Sequence, residues 1–209
     1  MQGATVVLLH GLWMNGWGMS VLRRRLNKAG YRAHQFAYPS FRQPPRANAS
    51  KLDAFVSALN TERVHFIAHS LGGLVLRHFF HAFPAQPGGR VVTLGTPHSG
   101  SSAARWLDMN GLGNSLLGQS IDAGLIGELP AWNAARDLGV IAGTLRMGFG
   151  CIIPGIPKPN DGTVSVTETR LPNMADHIVL PVSHFGLLFS RSVVAQALHF
   201  FENGAFSRP

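Results

Sequence analysis

A serine stands where an apolar run gives way to a helix-forming run, with small residues on both sides. The stretch reads Arg63-Val64-His65-Phe66-Ile67, then Ala68-His69-Ser70-Leu71-Gly72-Gly73, then Leu74-Val75-Leu76-Arg77-His78-Phe79-Phe80. The first run has strand character and the last helix character, so the chain must turn from strand to helix within a few residues. So sharp a turn forces the serine into a strained backbone conformation. Side chains two positions before and after it must be small, or they strike neighbouring backbone. Ala68 and Gly72 meet that demand, and Gly73 lets the helix start close to a sheet. The serine hydroxyl is then held clear of the surface at the positive end of a helix. Taken alone, the stretch also fits a plainer role, a serine capping a helix.

The rest of the chain alternates short apolar runs with amphipathic segments, which predicts βαβ units and a mainly parallel sheet. Expected strands are Thr5 to Leu9, Tyr31 to Phe36, Arg63 to Ala68, Arg90 to Leu94, Gly139 to Leu145 and His177 to Val182. Expected helices are Gly18 to Ala29, Ala49 to Leu59, Leu71 to Ala82 and a closing one at Leu187 to Phe201, with a proline-bearing loop at Tyr38 to Asn48. Residues 99–138 break the rhythm, mixing Gly111, Gly113, Gly118, Gly124 and Gly127 with leucines and isoleucines. Short helices joined by turns fit that pattern. Their place in the chain suits either a lid over a site or ordinary packed surface helices.

With 209 residues, 45% of them hydrophobic and 13% charged, the chain reads as one domain with a substantial core rather than as a disordered or coiled-coil protein. No stretch approaches the roughly 18 apolar residues of a membrane span. No basic region followed by an apolar segment opens the chain, so a cytoplasmic location is expected. A single cysteine, Cys151, allows no internal disulfide and is expected as a small buried filler. The net charge of +8 comes from scattered residues, so no nucleic-acid partner is expected. The one cluster, Arg23-Arg24-Arg25, fits a solvated helix face; a weak attraction to anionic membrane surfaces is its sharper alternative.

A serine hydroxyl is a poor nucleophile until a base takes its proton, and that base needs an orienting carboxylate. His184, in Val182-Ser183-His184-Phe185-Gly186, lies between the last expected strand and the last helix, where such a base belongs. Asp161, in Asn160-Asp161-Gly162-Thr163-Val164, lies on an earlier turn-rich loop. The order Ser70, Asp161, His184 is the one expected for this kind of site. His177 begins a strand rather than following one, Asp176 precedes it, and Asp122 and Asp137 lie in the irregular region and before a strand. Two backbone N–H donors must hold the oxyanion. Leu71, after the serine, supplies one, and Leu12, in Leu9-His10-Gly11-Leu12-Trp13, the other, with His10 holding that loop. Trp13, Trp17 and Phe185 fit an acyl-pocket wall and core equally well. His69 is expected to pack under the turn, and His98 to serve structure. No residue spacing makes a metal site and no lysine-bearing phosphate loop is present, so neither metal nor cofactor is expected.

These motifs together resemble those of the α/β-hydrolases, in particular small lipases and esterases. His10-Gly11 is similar to the family's oxyanion motif, Ala68 to Gly72 to its nucleophile elbow, Asn160 to Val164 to its acid loop and Ser183-His184 to its histidine loop. Gly95-Thr96-Pro97-His98-Ser99-Gly100 is similar to a stretch that follows the next strand in many lipases. The resemblance spans about residues 4–190. It implies a minimal α/β-hydrolase fold of about six mainly parallel strands flanked by helices, with a lid-like insertion near residues 99–138. It implies hydrolysis of small-molecule or lipid esters, with apolar acyl chains favoured by the apolar insertion. An acyltransferase or thioesterase would use the same triad; a hydrolase-shaped binding protein is the non-enzymatic alternative.

Overall fold

The computed structural model describes residues 3–133 and 135–208. Six strands form one sheet: β1 (Thr5–Leu9), β2 (Arg32–Phe36), β3 (Val64–His69), β4 (Val91–Leu94), β5 (Leu138–Gly143) and β6 (Asp176–Leu180). Every neighbouring pair is parallel, in the order β2-β1-β3-β4-β5-β6. The chain steps outward from β1 to β2, then returns past β1 to β3. The strand order therefore reverses between β1 and β3.

Successive strand residues face opposite sides of the sheet, and both sides are covered. Val6, Leu8, Ile67, Val92 and Ile141 pack with Leu22 and Leu26 of α1 (Ser20–Lys28) and with Val193, Phe200 and Phe201 of α7 (Arg191–Asn203). Val7, Leu9, Phe66, Val91 and Val140 pack with Leu52 and Val56 of α2 (Pro45–Ala58) and with Val75 and Phe79 of α3 (Leu71–Ala82). This double cover explains why the central strands read as unbroken apolar runs.

A third apolar cluster sits above the start of α3. It joins Leu71 and Leu74 to Ala103, Ala104 and Leu107 of α4 (Ser102–Met109), Leu117 of α5 (Gly113–Leu117), and Ile121 and Leu125 beyond it. The expected helical insertion near residues 99–138 is thus a cap on the elbow helix.

Most expected elements lie within two residues of their places. Two helices differ more. α2 starts at Pro45, inside the expected loop, because proline at a first helical position is preset for the helix and its missing N–H costs nothing there. The closing helix is two: α6 (Gly186–Phe189) ends at Ser190, whose extended backbone and hydroxyl, accepting from the Val193 N–H, start α7 anew. Cys151 is half-buried rather than a core filler. Arg23 and Arg24 are exposed, as a solvated helix face requires, while Arg25 donates to the Phe189 carbonyl at 2.5 Å and fastens α6 to α1.

His65, at the start of β3, is buried against Phe201 and accepts the Arg90 N–H on Nδ1 at 3.1 Å. Burial, helped by nearby arginines, pushes its pKa down to about 4. A depressed folded-state pKa means that the unfolded chain binds the proton more tightly, so stability is lost as pH falls through the window from about 6.5 to about 4. Urea unfolding across that window should show a fall in stability that is shallower in His65→Gln than in the unaltered protein.

Candidate active site

β3 ends in the elbow. Ser70 has φ 52° and ψ −122°, a conformation that non-glycine residues avoid and that costs on the order of 1–3 kcal/mol. Three hydrogen bonds hold it. The Ser70 N–H donates to the Leu94 carbonyl at 2.9 Å, and its own carbonyl accepts from the Gly73 N–H at 3.1 Å and the Thr96 hydroxyl at 2.8 Å. Gly72 has no room for a side chain: a Cβ there would lie 2.9 Å from the His10 carbonyl. The expected small-residue turn is therefore present, with the steric reason that the sequence implied.

Asp161 and His184 meet beside it. Asp161 is wholly buried, and its Oδ2 accepts from His184 Nδ1 at 2.7 Å. Its other carboxylate oxygen accepts the N–H groups of Thr163 at 2.9 Å and Val164 at 2.7 Å, so every part of the group is fixed. The Asp161 carbonyl in turn accepts the His184 N–H at 2.9 Å. Because Nδ1 donates to the carboxylate, a neutral His184 ring keeps its lone pair on Nε2. His184 and Ser70 line one apolar cavity. The rivals lie elsewhere: Asp176 opens β6 and pairs with Arg208, and His177 bonds the Thr169 hydroxyl.

The floor of the pair is Gly95, the residue after β4. It has φ 57°, and a Cβ there would lie 2.9 Å from Asp161 Oδ2 and 3.1 Å from His184 Nδ1. Only glycine allows that approach. In Gly95→Ala the added methyl should part the two groups, so that the downfield imidazole proton resonance expected of a 2.7 Å bond in the unaltered protein disappears from its NMR spectrum.

The loop after β1 completes the rim. Leu12 lines the cavity, and the Leu71 N–H belongs to the first turn of α3, where N–H groups have no helical partner. His10 holds this loop as expected. Its Nε2 accepts the Tyr38 N–H at 3.3 Å, which leaves Nδ1–H to donate to the Gly11 carbonyl at 2.8 Å. Tyr38 stacks on the ring and donates its hydroxyl to the His10 carbonyl at 2.5 Å. Burial lowers the His10 pKa, in keeping with a neutral tether.

Of the three aromatic residues proposed for a pocket, Trp13 and Phe185 line the cavity mouth, 55% and 51% exposed. Trp17 does not: it is 83% exposed in the single turn Gly16–Met19, and Met14 takes the inner position instead. Helix phasing before α1 aims residue 17 outward, a detail that composition cannot show. Among the described residues no group of three His, Cys, Asp or Glu side chains is placed to hold a metal ion.

Three buried polar residues do more than the sequence indicates. His69 donates from Nε2 to the His184 carbonyl at 3.0 Å, and burial together with the neighbouring His184 holds its pKa well below the ordinary value. Thus the residue before Ser70 supports the loop that carries His184. Glu168 accepts from the Ser102 N–H at 2.5 Å and from Ser165, N–H at 2.7 Å and hydroxyl at 2.9 Å, joining the cap to the acid loop. Arg77 of α3 donates to the carbonyls of Pro130 at 2.7 Å, His98 at 2.5 Å and Leu129 at 3.3 Å. Only His69 lay in a motif; Glu168 and Arg77 look in sequence like ordinary surface charges.

The pattern of the alpha/beta hydrolase family matches residues 6–193 of this chain. The fold is similar to that of a Bacillus licheniformis lipase in its mature form, with TM-score 0.76 at 21% identity, over 97% of this chain and 92% of that one. An esterase from Exiguobacterium antarcticum gives 0.67 at 13% identity, over 97% of this chain and 93% of that one. A metagenomic carboxyl esterase gives 0.67 at 17% identity, over 88% and 65%. No curated protein matches the chain by sequence.

Proposed function

The chain belongs to the alpha/beta hydrolase family, and from that premise we propose that it hydrolyses carboxylic esters through Ser70, His184 and Asp161. The observation that carries this reading is the 2.7 Å bond between His184 and a fully buried Asp161 at the edge of a cavity that Ser70 also lines. Ser70 Oγ attacks the ester carbon while its proton passes to His184 Nε2. Asp161 accepts the Nδ1–H and stabilises the imidazolium. The N–H groups of Leu12 and Leu71 hold the oxyanion of the tetrahedral intermediate. The C–O bond to the alcohol then breaks and His184 returns the proton to the departing oxygen. Water attacks the acyl-enzyme in the same way, giving its proton to His184, and Ser70 regains a proton as the acid leaves.

The cavity is lined mostly by aliphatic side chains and flanked at its mouth by Trp13 and Phe185, which supports an apolar acyl group on a small-molecule or lipid ester. Among the described residues no helix is long and apolar enough to cross a membrane. The exposed Arg23 and Arg24 support no more than a weak attraction to anionic lipid.

Ser70→Ala should lower kcat on a p-nitrophenyl ester by at least about a thousandfold and abolish labelling by a fluorophosphonate. A loss under about tenfold would assign the chemistry to another group.

A further inference from the structure

The cap over the cavity is fastened along its length. At its start, Glu168 takes the Ser99 N–H on its carbonyl at 3.0 Å and the Ser102 N–H on its carboxylate at 2.5 Å. In its middle, the Gln119 N–H donates to the Phe41 carbonyl at 3.0 Å, and Gly118 lies so close to Phe41 that a Cβ would strike it. The two limbs are tied to each other where the Ser101 N–H donates to the Leu125 carbonyl at 3.0 Å. At its end, Arg77 takes the carbonyls of Leu129 and Pro130. The anchors belong to three separate parts of the fold: α3, the loop after β2, and the loop after the catalytic acid. Swinging the cap away would break all of them at once and would expose the apolar cluster between α4 and α3 to water.

The cavity beneath is small, about 100 Å³. A dry apolar cavity of roughly 150 Å³ takes up benzene, so a space of this size holds about four carbons. Its walls are Ala103, Ala104, Leu107, Leu117, Leu125 and Ile153, all buried. Every one but Ile153 comes from the anchored cap.

We infer that residues 99–130 are a fixed roof and not a moving lid, and that the site takes short acyl groups of about four carbons, with Leu107 and Ile153 setting the limit. This rests on the esterase reading above and sharpens it.

The test is a series of p-nitrophenyl esters from two to sixteen acyl carbons. The unaltered protein should show a kcat/KM for butyrate at least about tenfold above that for decanoate. In Ile153→Ala the ratio of decanoate to butyrate should rise at least about tenfold, since each methylene that an apolar pocket accepts or refuses changes the rate by about that factor or more. Leu107→Ala reads the same wall from α4, and thermal unfolding identifies which variant is folded. Rates on tributyrin should rise smoothly through its solubility limit. A preference for ten or more carbons in the unaltered protein, or a jump in rate at the solubility limit, overturns the fixed roof while leaving the esterase reading intact. Absence of turnover on every ester, with Ser70 unlabelled, overturns the esterase reading itself.

Discussion

Four successive strand ends meet with no space for a side chain, and the rest of the site follows from that close approach. Gly11 follows β1, Gly72 follows β3, Gly95 follows β4, and Gly143 ends β5. A Cβ at Gly11 would lie 3.1 Å from Ser70 Cβ, at Gly95 2.9 Å from the Asp161 carboxylate, and at Gly143 2.8 Å from Asp161 Cβ. Each missing side chain lets one loop lie directly on its neighbour. The hydroxyl, the carboxylate, the imidazole and the candidate oxyanion donors are thereby gathered at one edge of the sheet, although they come from widely separated parts of the chain. The strained Ser70 backbone is the consequence at the centre. It persists because Leu94 at the end of β4 holds its N–H, while Thr96 just beyond that strand and Gly73 of α3 hold its carbonyl.

Around this edge, two ionisable side chains are buried among hydrogen-bond partners that are themselves uncharged. Glu168 is 5% exposed, and its carboxylate is satisfied by N–H and O–H donors; Arg77 is 7% exposed and is satisfied by three carbonyls. A buried charge is tolerable only when its hydrogen bonds are complete, and the loss of even one partner costs about 1–3 kcal/mol or more. Each therefore fixes several backbone groups at once. One ties the cap to the acid loop and the other ties it to the elbow helix. Burial lowers the Arg77 pKa, the expected cost of removing a guanidinium from water.

How much of this was legible in the sequence depended on whether the information was local. The elbow was legible because strand, serine, small residues and helix are consecutive, and α3 runs over the very residues expected. Asp161 and His184 stood out in the sequence because each sits on a loop in the chain order expected for this kind of site, and the structure pairs them at 2.7 Å. Ten histidines make a base ambiguous in the sequence, and four of those near the site differ in their partners. His10, His69 and His98 face carbonyls, an N–H or a hydroxyl and are held neutral by burial, whereas His184 faces a carboxylate. Nothing local marks Glu168 or Arg77, whose partners are dozens of residues away. The start of α2 is hidden for the opposite reason: prolines mark loops in the sequence, yet Pro45 begins a helix. Trp17 shows a third limit, since a turn of four residues decides which of two neighbouring tryptophans faces the cavity.

The site therefore combines a rigid interior with an open threshold. The inner wall is built from side chains that are buried and, through the cap, fastened to three parts of the fold. The threshold is Trp13 and Phe185, each about half exposed. Trp13 carries positive φ, 58°, directly after the loop that brings Leu12 to the cavity. Its side chain is thus placed by the backbone turn that ends this loop. A substrate that presses on the threshold acts on the loop of the candidate oxyanion donor, whereas one that presses on the inner wall meets a structure that cannot yield without breaking several buried hydrogen bonds.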